Sequence, residues 1–525
     1  MRAWFSKPSP PTVSCLGKGL GESALFAVPK AQKQEQERPL APTLSPNDKA
    51  VGREGVRFCR TLALLLAGWL FGVPSSTQAA STQVNYGLFG NVHVAAPTGE
   101  PKRTVVFVSD KDGWNARAES LATALSDDGA LVFGIDYPAY LKELLSIKND
   151  ACHFPSAHIQ EMSDWMQKNQ KVKNFAYPFL IGDGAGAAFA YAVDAQAPKG
   201  TFNGLLTLGW DFSSRFPKPF CKGDAGEMSI GDGKGQFRLV PVATLPNRWL
   251  PLPFAIGARV DGVLSLLETV WKSLPTAVLP QTNAREDAGF QLAHAVDRLT
   301  APTATTKPLP GDVADLPLIE VPAQGVFAGR FAIILTGDGG WAGLDIAVAD
   351  QLSKRGIAVV GLNTLKFFWQ TRTPAEAADA VTRIIGHYGG VHPDADFVVI
   401  GYSFGASLAP VVVNRVADAA RARIAAQVLI SPDDEAVFEI HVGDWFGSTH
   451  HEGAIPIAPE IANTKVPVIC VHGADEGADS FCATLAGKPS VSDVSLPGGH
   501  HYDGDYDALG ERIATSLPPR TPGDR

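Results

Sequence analysis

The chain has 525 residues, 45% of them hydrophobic and 19% charged. That length exceeds one ordinary core, so several domains are expected, and the composition excludes a globally disordered chain. The formal charge of −9 leaves no basic footprint of the kind nucleic-acid binding requires, so no nucleic-acid partner is expected.

Residues 1–55 are rich in Pro, Lys, Gln and Glu and show no sustained periodicity. They read as an extension, either disordered or lying upstream of a true translation start at Val51 or Val56. Val56-Arg-Phe-Cys-Arg60 and the apolar run Thr61 to Val73 then have the basic and hydrophobic regions of a signal peptide over 56–80, with small residues for cleavage near Ala79 and Ala80. The run is shorter than the roughly 20 residues that span a bilayer, so export with cleavage is expected over an uncleaved anchor, and the periplasm is the expected location. Cys15 and Cys59 fall in the segment lost. Cys152, Cys221, Cys470 and Cys482 remain, an even number that suits an oxidising compartment. Proximity favours Cys470–Cys482 and leaves Cys152–Cys221, although sequence allows three pairings and buried free thiols stay open.

From Thr104 the chain alternates buried-strand runs with helical patterns, which implies a mostly parallel α/β sheet. Thr104 to Trp114 is a strand and a Gly-containing turn, Leu131 to Tyr137 a second strand, Phe179 to Gly186 a strand entering a Gly-rich turn, and Gly204 to Trp210 a fourth strand. The order then repeats. Arg330 to Trp341 matches the first strand and its Asp-Gly-Trp ending, Ile357 to Asn363 the second, Val398 to Gly405 the third, and Gln427 to Ser431 the fourth. The expected domains are therefore a first copy over 85–300, a Pro-rich extended linker over 301–316, a second copy over 317–517 and a frayed tail over 518–525. Within the first copy, Val260–Leu274 reads as a helix packed on the sheet or serving as a lid.

Phe397-Val-Val-Ile-Gly-Tyr-Ser-Phe-Gly-Ala406 is a strand running into G-x-S-x-G and then a helix, the pattern of a nucleophile elbow centred on Ser403. The aligned Gly182-Asp-Gly-Ala-Gly186 puts Gly184 in the serine's place, so the first copy reads as a degenerate hydrolase; it lacks the Lys-Ser/Thr of a phosphate loop. A serine hydroxyl needs a base and an orienting acid. Asp475 follows the strand Val466 to His472, with Glu476 and Asp479 as rivals, and Gly498-Gly499 presents His500, with His501 as the alternative base. Phe404 N–H and the turn Thr336 to Trp341 supply oxyanion donors, with Asp338 or Gly339 as the second one. Asp338 and Trp341 are also substrate-binding candidates, and Asp433, Asp434, Glu435 and Glu439 are further acids on segments that follow strand ends, where loops build a site. The fold class is a tandem duplicated α/β-hydrolase with mostly parallel sheets and a degenerate first copy, and the chemistry calls for no cofactor and no metal.

Thr-Gly-Asp-Gly-Gly-Trp341, Gly-Tyr-Ser-Phe-Gly-Ala406, Cys470 with Cys482, and Pro-Gly-Gly-His-His-Tyr-Asp-Gly-Asp-Tyr506 together resemble the AcvB/VirJ family of bacterial virulence proteins in its two-copy, AcvB-like form. That resemblance implies a periplasmic serine hydrolase that removes lysine from lysyl-phosphatidylglycerol, with an aminoacylated phospholipid headgroup at the inner-membrane face as partner and links to type IV secretion. The residues by themselves reach an exported serine hydrolase of an ester or thioester. A non-catalytic secretion adaptor, or an esterase of another substrate, is the competing expectation.

Overall fold

Runs of Val, Ile, Leu and Phe with no polar alternation can be satisfied only by strands covered on both faces, and helical crossovers supply that cover. In the computed structural model these runs build two seven-stranded sheets. The structure describes residues 81–147, 151–209, 214–223, 225–252, 311–441, 453–488 and 490–520, with isolated positions within 292–299 and at 451. The expected extension, the signal peptide, the Val260–Leu274 segment, residues 301–310 of the linker and residues 521–525 of the tail lie outside them. Among the described residues no helix is long and apolar enough to cross a membrane.

The first sheet contains β1 (Thr82–Tyr86), β2 (Gly90–Ala95), β3 (Arg103–Val108), β4 (Ala130–Ile135), β5 (Phe179–Asp183), β6 (Gly204–Leu208) and β7 (Trp249–Leu252), in the order β1-β2-β4-β3-β5-β6-β7. The second contains β8 (Leu318–Val321), β9 (Arg330–Leu335), β10 (Ala358–Leu362), β11 (Asp396–Tyr402), β12 (Ile424–Ile430), β13 (Val468–Gly473) and β14 (Val491–Leu496), in the order β8-β10-β9-β11-β12-β13-β14. Six strands correspond in the same order, β2-β4-β3-β5-β6-β7 with β8-β10-β9-β11-β12-β13. In each set the outermost, β2 or β8, is antiparallel and the rest are parallel. This is the α/β-hydrolase arrangement, present twice. The helices used below are α1 (Ala116–Asp127), α2 (Tyr137–Ser146), α3 (Pro155–Asn169) and α4 (Ala185–Gln196) in the first unit. In the second they are α5 (Gly343–Lys354), α6 (Pro374–Val391), α7 (Phe404–Arg415) and α8 (Tyr506–Ser516).

Local devices repeat as well. Asp136 caps α2 through Ala139 N–H, and Asn363 caps the short turn Thr364–Phe367 through Lys366 N–H. Trp114 lies over Gly134 and Trp341 over Gly361, where a Cβ would stand 2.0 and 2.2 Å from the respective rings. The central strand β11 is buried along its whole length, and each large apolar side chain so covered contributes about 1.5–3 kcal/mol. At its base Arg330 and Asp396 form a buried two-pronged ion pair with both contacts at 2.7 Å.

Several boundaries differ from the sequence reading. The first sheet begins at Thr82, ahead of the expected Asn85. Residues 311–316 are packed rather than extended, because Val313 and Leu316 enter the second unit's core. The tail is held at its start: Arg330 donates to Pro518 O at 2.7 Å and Arg520 bonds Ala328 O and Asp394 O. The strand β7 is masked in the sequence by its own Pro251, which a sheet tolerates at an edge. Both disulfides expected from spacing are formed, Cys152–Cys221 and Cys470–Cys482.

Candidate active site

Strand β11 delivers Ser403 into a left-handed backbone conformation, φ 50° and ψ −114°, before α7 starts. A non-glycine residue held at positive φ is strained, and such strain persists where the surroundings enforce it. Here they do. A Cβ on Gly401 would lie 2.3 Å from Gly405 O, and one on Gly405 would lie 2.2 Å from Leu335 O. The two glycines let strand, turn and helix close tightly enough to push the serine out. Gly184 has nearly the same conformation, φ 55° and ψ −115°, so the first unit keeps the elbow without its nucleophile.

The two histidines are placed differently. His500 Nε2 lies 3.0 Å from Ser403 Oγ. His501 points elsewhere: its Nδ1 pairs with Tyr402 Oη at 3.0 Å. Burial, followed by the neighbouring His500, pushes its pKa down to about 4, so it is neutral at pH 7. The loop with the expected acid is pinned to the histidine loop, Asp475 N–H donating to Gly498 O at 2.9 Å. The Asp475 and Asp479 side chains are nevertheless exposed, and among the described residues no carboxylate reaches the His500 ring by hydrogen bond or ion pair. Glu476 is half-buried and fixed: its Oε1 accepts from Gly473 N–H at 2.9 Å and from Ser431 Oγ at 2.7 Å. Ser431 also pairs with Tyr502 Oη at 2.8 Å. Tyr402, Ser431 and Tyr502 were not singled out from sequence, because an ordinary aromatic or serine at a strand end carries no motif.

The first unit carries an acid at the turn that corresponds to the candidate oxyanion turn. Asp110 occupies the position of Gly337 in the second unit: each lies four residues before its Trp, and each carbonyl accepts the N–H of the third residue on, Gly113 or Gly340. Asp110 Oδ1 accepts from Ala185 N–H and from Lys111 N–H, both at 2.7 Å. The corresponding amides in the second unit belong to Phe404 and Asp338. Two N–H groups that converge on one anionic oxygen are the geometry an oxyanion needs, and by position the pair in the second unit would include the Asp338 amide and not that of Gly339. A Cβ on Gly184 would stand 2.2 Å from Asp110 Oδ1, so the plug also fills the space a serine would need.

Trp341, the other substrate-binding candidate, lines a cavity of about 310 Å³ with Tyr177, Phe202, Asn363 and Lys366. Burial lowers the Lys366 pKa. Asp433 and Asp434 are exposed, whereas Glu439 is paired with Lys168 of the first unit at 3.3 Å.

Residues 329–521 match the family model described as Bacterial virulence protein (VirJ). They form a VirJ-family domain. Ser403, His500, Asp338 and Glu476 all fall within it. Comparison with curated proteins finds no match. Among solved structures, Est1E from Butyrivibrio proteoclasticus is 16% identical with a TM-score of 0.29, over 38% of this chain and 91% of that one. An α/β serine hydrolase homologue from Coxiella burnetii is 15% identical with a TM-score of 0.29, over 38% and 91%. XC6422 from Xanthomonas campestris, described as an α/β serine hydrolase without a lid, is 15% identical with a TM-score of 0.28, over 41% and 100%. The fold itself is carried by the strand order and the elbow of the VirJ-family domain.

Proposed function

We propose that the VirJ-family domain is a serine hydrolase of carboxylic esters, and that the observation carrying this is the 3.0 Å contact between His500 Nε2 and Ser403 Oγ on a strained elbow. Ser403 Oγ attacks the ester carbonyl carbon as its proton passes to His500 Nε2. Phe404 and Asp338 N–H groups hold the resulting oxyanion. His500 returns the proton to the departing alkoxide, leaving an acyl-serine. Water then attacks this ester, His500 takes its proton, and collapse releases the acid and restores Ser403.

For the acid we propose Glu476 over Asp475. An orienting carboxylate must itself be fixed, and Glu476 is held through Oε1 while Oε2 stays uncommitted. Catalytic hydrogen bonds often close only when substrate is bound.

The substrate we propose is the aminoacyl ester of lysyl-phosphatidylglycerol, hydrolysed to lysine and phosphatidylglycerol at the periplasmic face of the inner membrane. The matched family and the sequence motifs support it, and the two disulfides support an exported protein. The test is hydrolysis of lysyl-phosphatidylglycerol by purified protein and by Ser403→Ala, together with labelling by a fluorophosphonate. Loss of both with Ser403→Ala supports the reading, whereas full activity in Ser403→Ala alongside an active wild type removes it. A second reading, a non-catalytic adaptor in type IV secretion, is favoured by one observation: the first unit retains the fold with its oxyanion site plugged. Folded wild-type protein that takes no fluorophosphonate label would support the adaptor.

A further inference from the structure

Helix α3 of the first unit carries Gln160, Glu161, Asp164 and Lys168 at spacings that place them along one stripe. That stripe meets the second unit. Gln160 Nε2 is 3.7 Å from where a Cβ on Gly339 would stand. Lys168 donates to Trp369 O and pairs with Glu439, and Trp165 packs against the cores of both units. The segment after the helix continues the contact: Trp369 Nε1 donates to Val172 O at 2.8 Å and Asn363 Nδ2 to Tyr177 Oη at 2.9 Å. A Cβ on Gly340 would lie 2.2 Å from that same Tyr177 oxygen. The first unit therefore sits on the oxyanion turn itself.

Between Gln160 and Lys168 lies Asp164, which is 1% exposed and whose Oδ2 has no hydrogen-bond partner. Buried carboxyl oxygens are almost always paired, so an orphan of this kind needs a reason. Lys168, one turn along the helix, is already held by Trp369 and Glu439. Burial, then the charges of Asp338 and Glu161, push the Asp164 pKa well up, and burial pushes Glu161 up to about 7. Asp164 thus feels Glu161 on its own helix and Asp338 across the contact. Among the described residues no group of three such side chains could hold a metal ion; a primary ammonium, by contrast, needs only a hydrogen-bond acceptor of this kind.

We infer that Glu161 and Asp164 of the first unit, with Asp338 of the second, form the subsite for a primary ammonium group carried on the acyl part of the substrate. The orphaned Oδ2 accepts one ammonium proton, the cation relieves the repulsion among the three carboxyls, and the scissile carbonyl is presented to the Phe404 and Asp338 amides. The first unit, though unable to cut an ester, decides which ester is cut. This rests on the reading of Ser403 as the nucleophile.

The experiment compares 4-nitrophenyl 6-aminohexanoate with 4-nitrophenyl heptanoate, which differ by an ammonium in place of a methyl, on the full chain and on Glu161→Gln and Asp164→Asn. Wild type is expected to favour the amino ester in kcat/KM. Each substitution is expected to lower that preference at least ten-fold, mainly through KM. The preference is a ratio taken on one preparation, so partial unfolding cancels, and half-buried Glu161 serves where Asp164→Asn folds poorly. A wild type without preference, or a preference unchanged within two-fold in both variants, overturns the subsite and leaves the hydrolase reading standing. Hydrolysis of neither ester, with no fluorophosphonate labelling, overturns both.

Discussion

The plug in the first unit can be moved into the second. Gly337→Asp places a carboxylate where Asp110 stands, facing the amides of Phe404 and Asp338. Gly337 does not occupy the left-handed region, and a Cβ there meets only Tyr402 Cδ1 closely, at 3.1 Å, so a small shift of that ring admits the side chain. In the first unit the carboxylate takes two N–H bonds of 2.7 Å. Hydrogen bonds to a charged group contribute about 1.5–3 kcal/mol each, and removing a glycine lowers the entropy of the unfolded chain by about 0.4–1 kcal/mol. The variant is expected to melt no lower than wild type. Its activity is another matter. Loss of one oxyanion donor costs about 10²–10³ in kcat, or about 2.7–4 kcal/mol. Here two donors are occupied and a negative charge faces the developing oxyanion, so kcat/KM is expected to fall at least ~10³-fold. The assay is ester hydrolysis alongside a melting curve, with Gly337→Ala as the control that adds a Cβ without a carboxylate and keeps most activity. A Gly337→Asp protein retaining more than a tenth of wild-type activity refutes the assignment of the hole.

Three further outcomes are expected. Exchanging Cys470 and Cys482 for Ala opens a closed loop of 12 residues, which costs about 3 kcal/mol and lowers Tm of a domain this size by about 6–12 °C; an unchanged Tm would show that the bond constrains nothing. His501 has its folded pKa pushed from 6.5 to about 4, so the folded state binds fewer protons than the unfolded one between those values. Its contribution is full above pH 6.5 and is lost as pH falls toward 4, by about 3 kcal/mol at most. His501→Gln should flatten that limb of a stability-against-pH curve, and identical limbs in both proteins would remove the argument. Glu476→Gln should lower kcat by about 10²–10⁴ and Asp475→Asn by less than ten-fold; the reverse order would return the acid to Asp475.

Much of the scaffold was legible because each piece has a local cause. The Val-Ile runs of β9 and β11 need covering on both faces, Gly401 and Gly405 permit one kind of turn, and Gly498-Gly499 ahead of His500 marks a loop that must approach another backbone. The repeat was visible since the Trp341–Gly361 contact has its counterpart in Trp114–Gly134, and both partners are written in sequence. The feature behind the proposal of Glu476 was not legible. Asp475 and Glu476 are adjacent and chemically alike, and what separates them is the fixing of one carboxylate by Gly473 and Ser431, a residue 45 positions away. The role of α3 was equally hidden, because Gln160, Glu161 and Asp164 read as an ordinary polar helix face until another unit covers them. Asp110 had a signal that could have been used: it is an acid aligned with the glycine of an oxyanion turn.

The two units show opposite uses of one pair of backbone amides. A buried N–H left without an acceptor costs about 1–3 kcal/mol, so an acceptor built into the turn stabilises the unit that carries it. In the first unit, where Gly184 stands at the position of Ser403, Asp110 takes both amides with two short bonds. The elbow backbone survives because Gly182 and Gly186 pack against Gly186 O and Ser109 O, within 2.4 and 2.2 Å of a Cβ, and thus serve the sheet as much as the chemistry. The first unit also contacts the second, through α3 and residues 172–177 against Gly339, Asn363 and Trp369. A unit kept only for stability would have no need of a buried carboxyl oxygen without a hydrogen-bond partner, and Asp164 Oδ2 is one, on the helix that makes that contact.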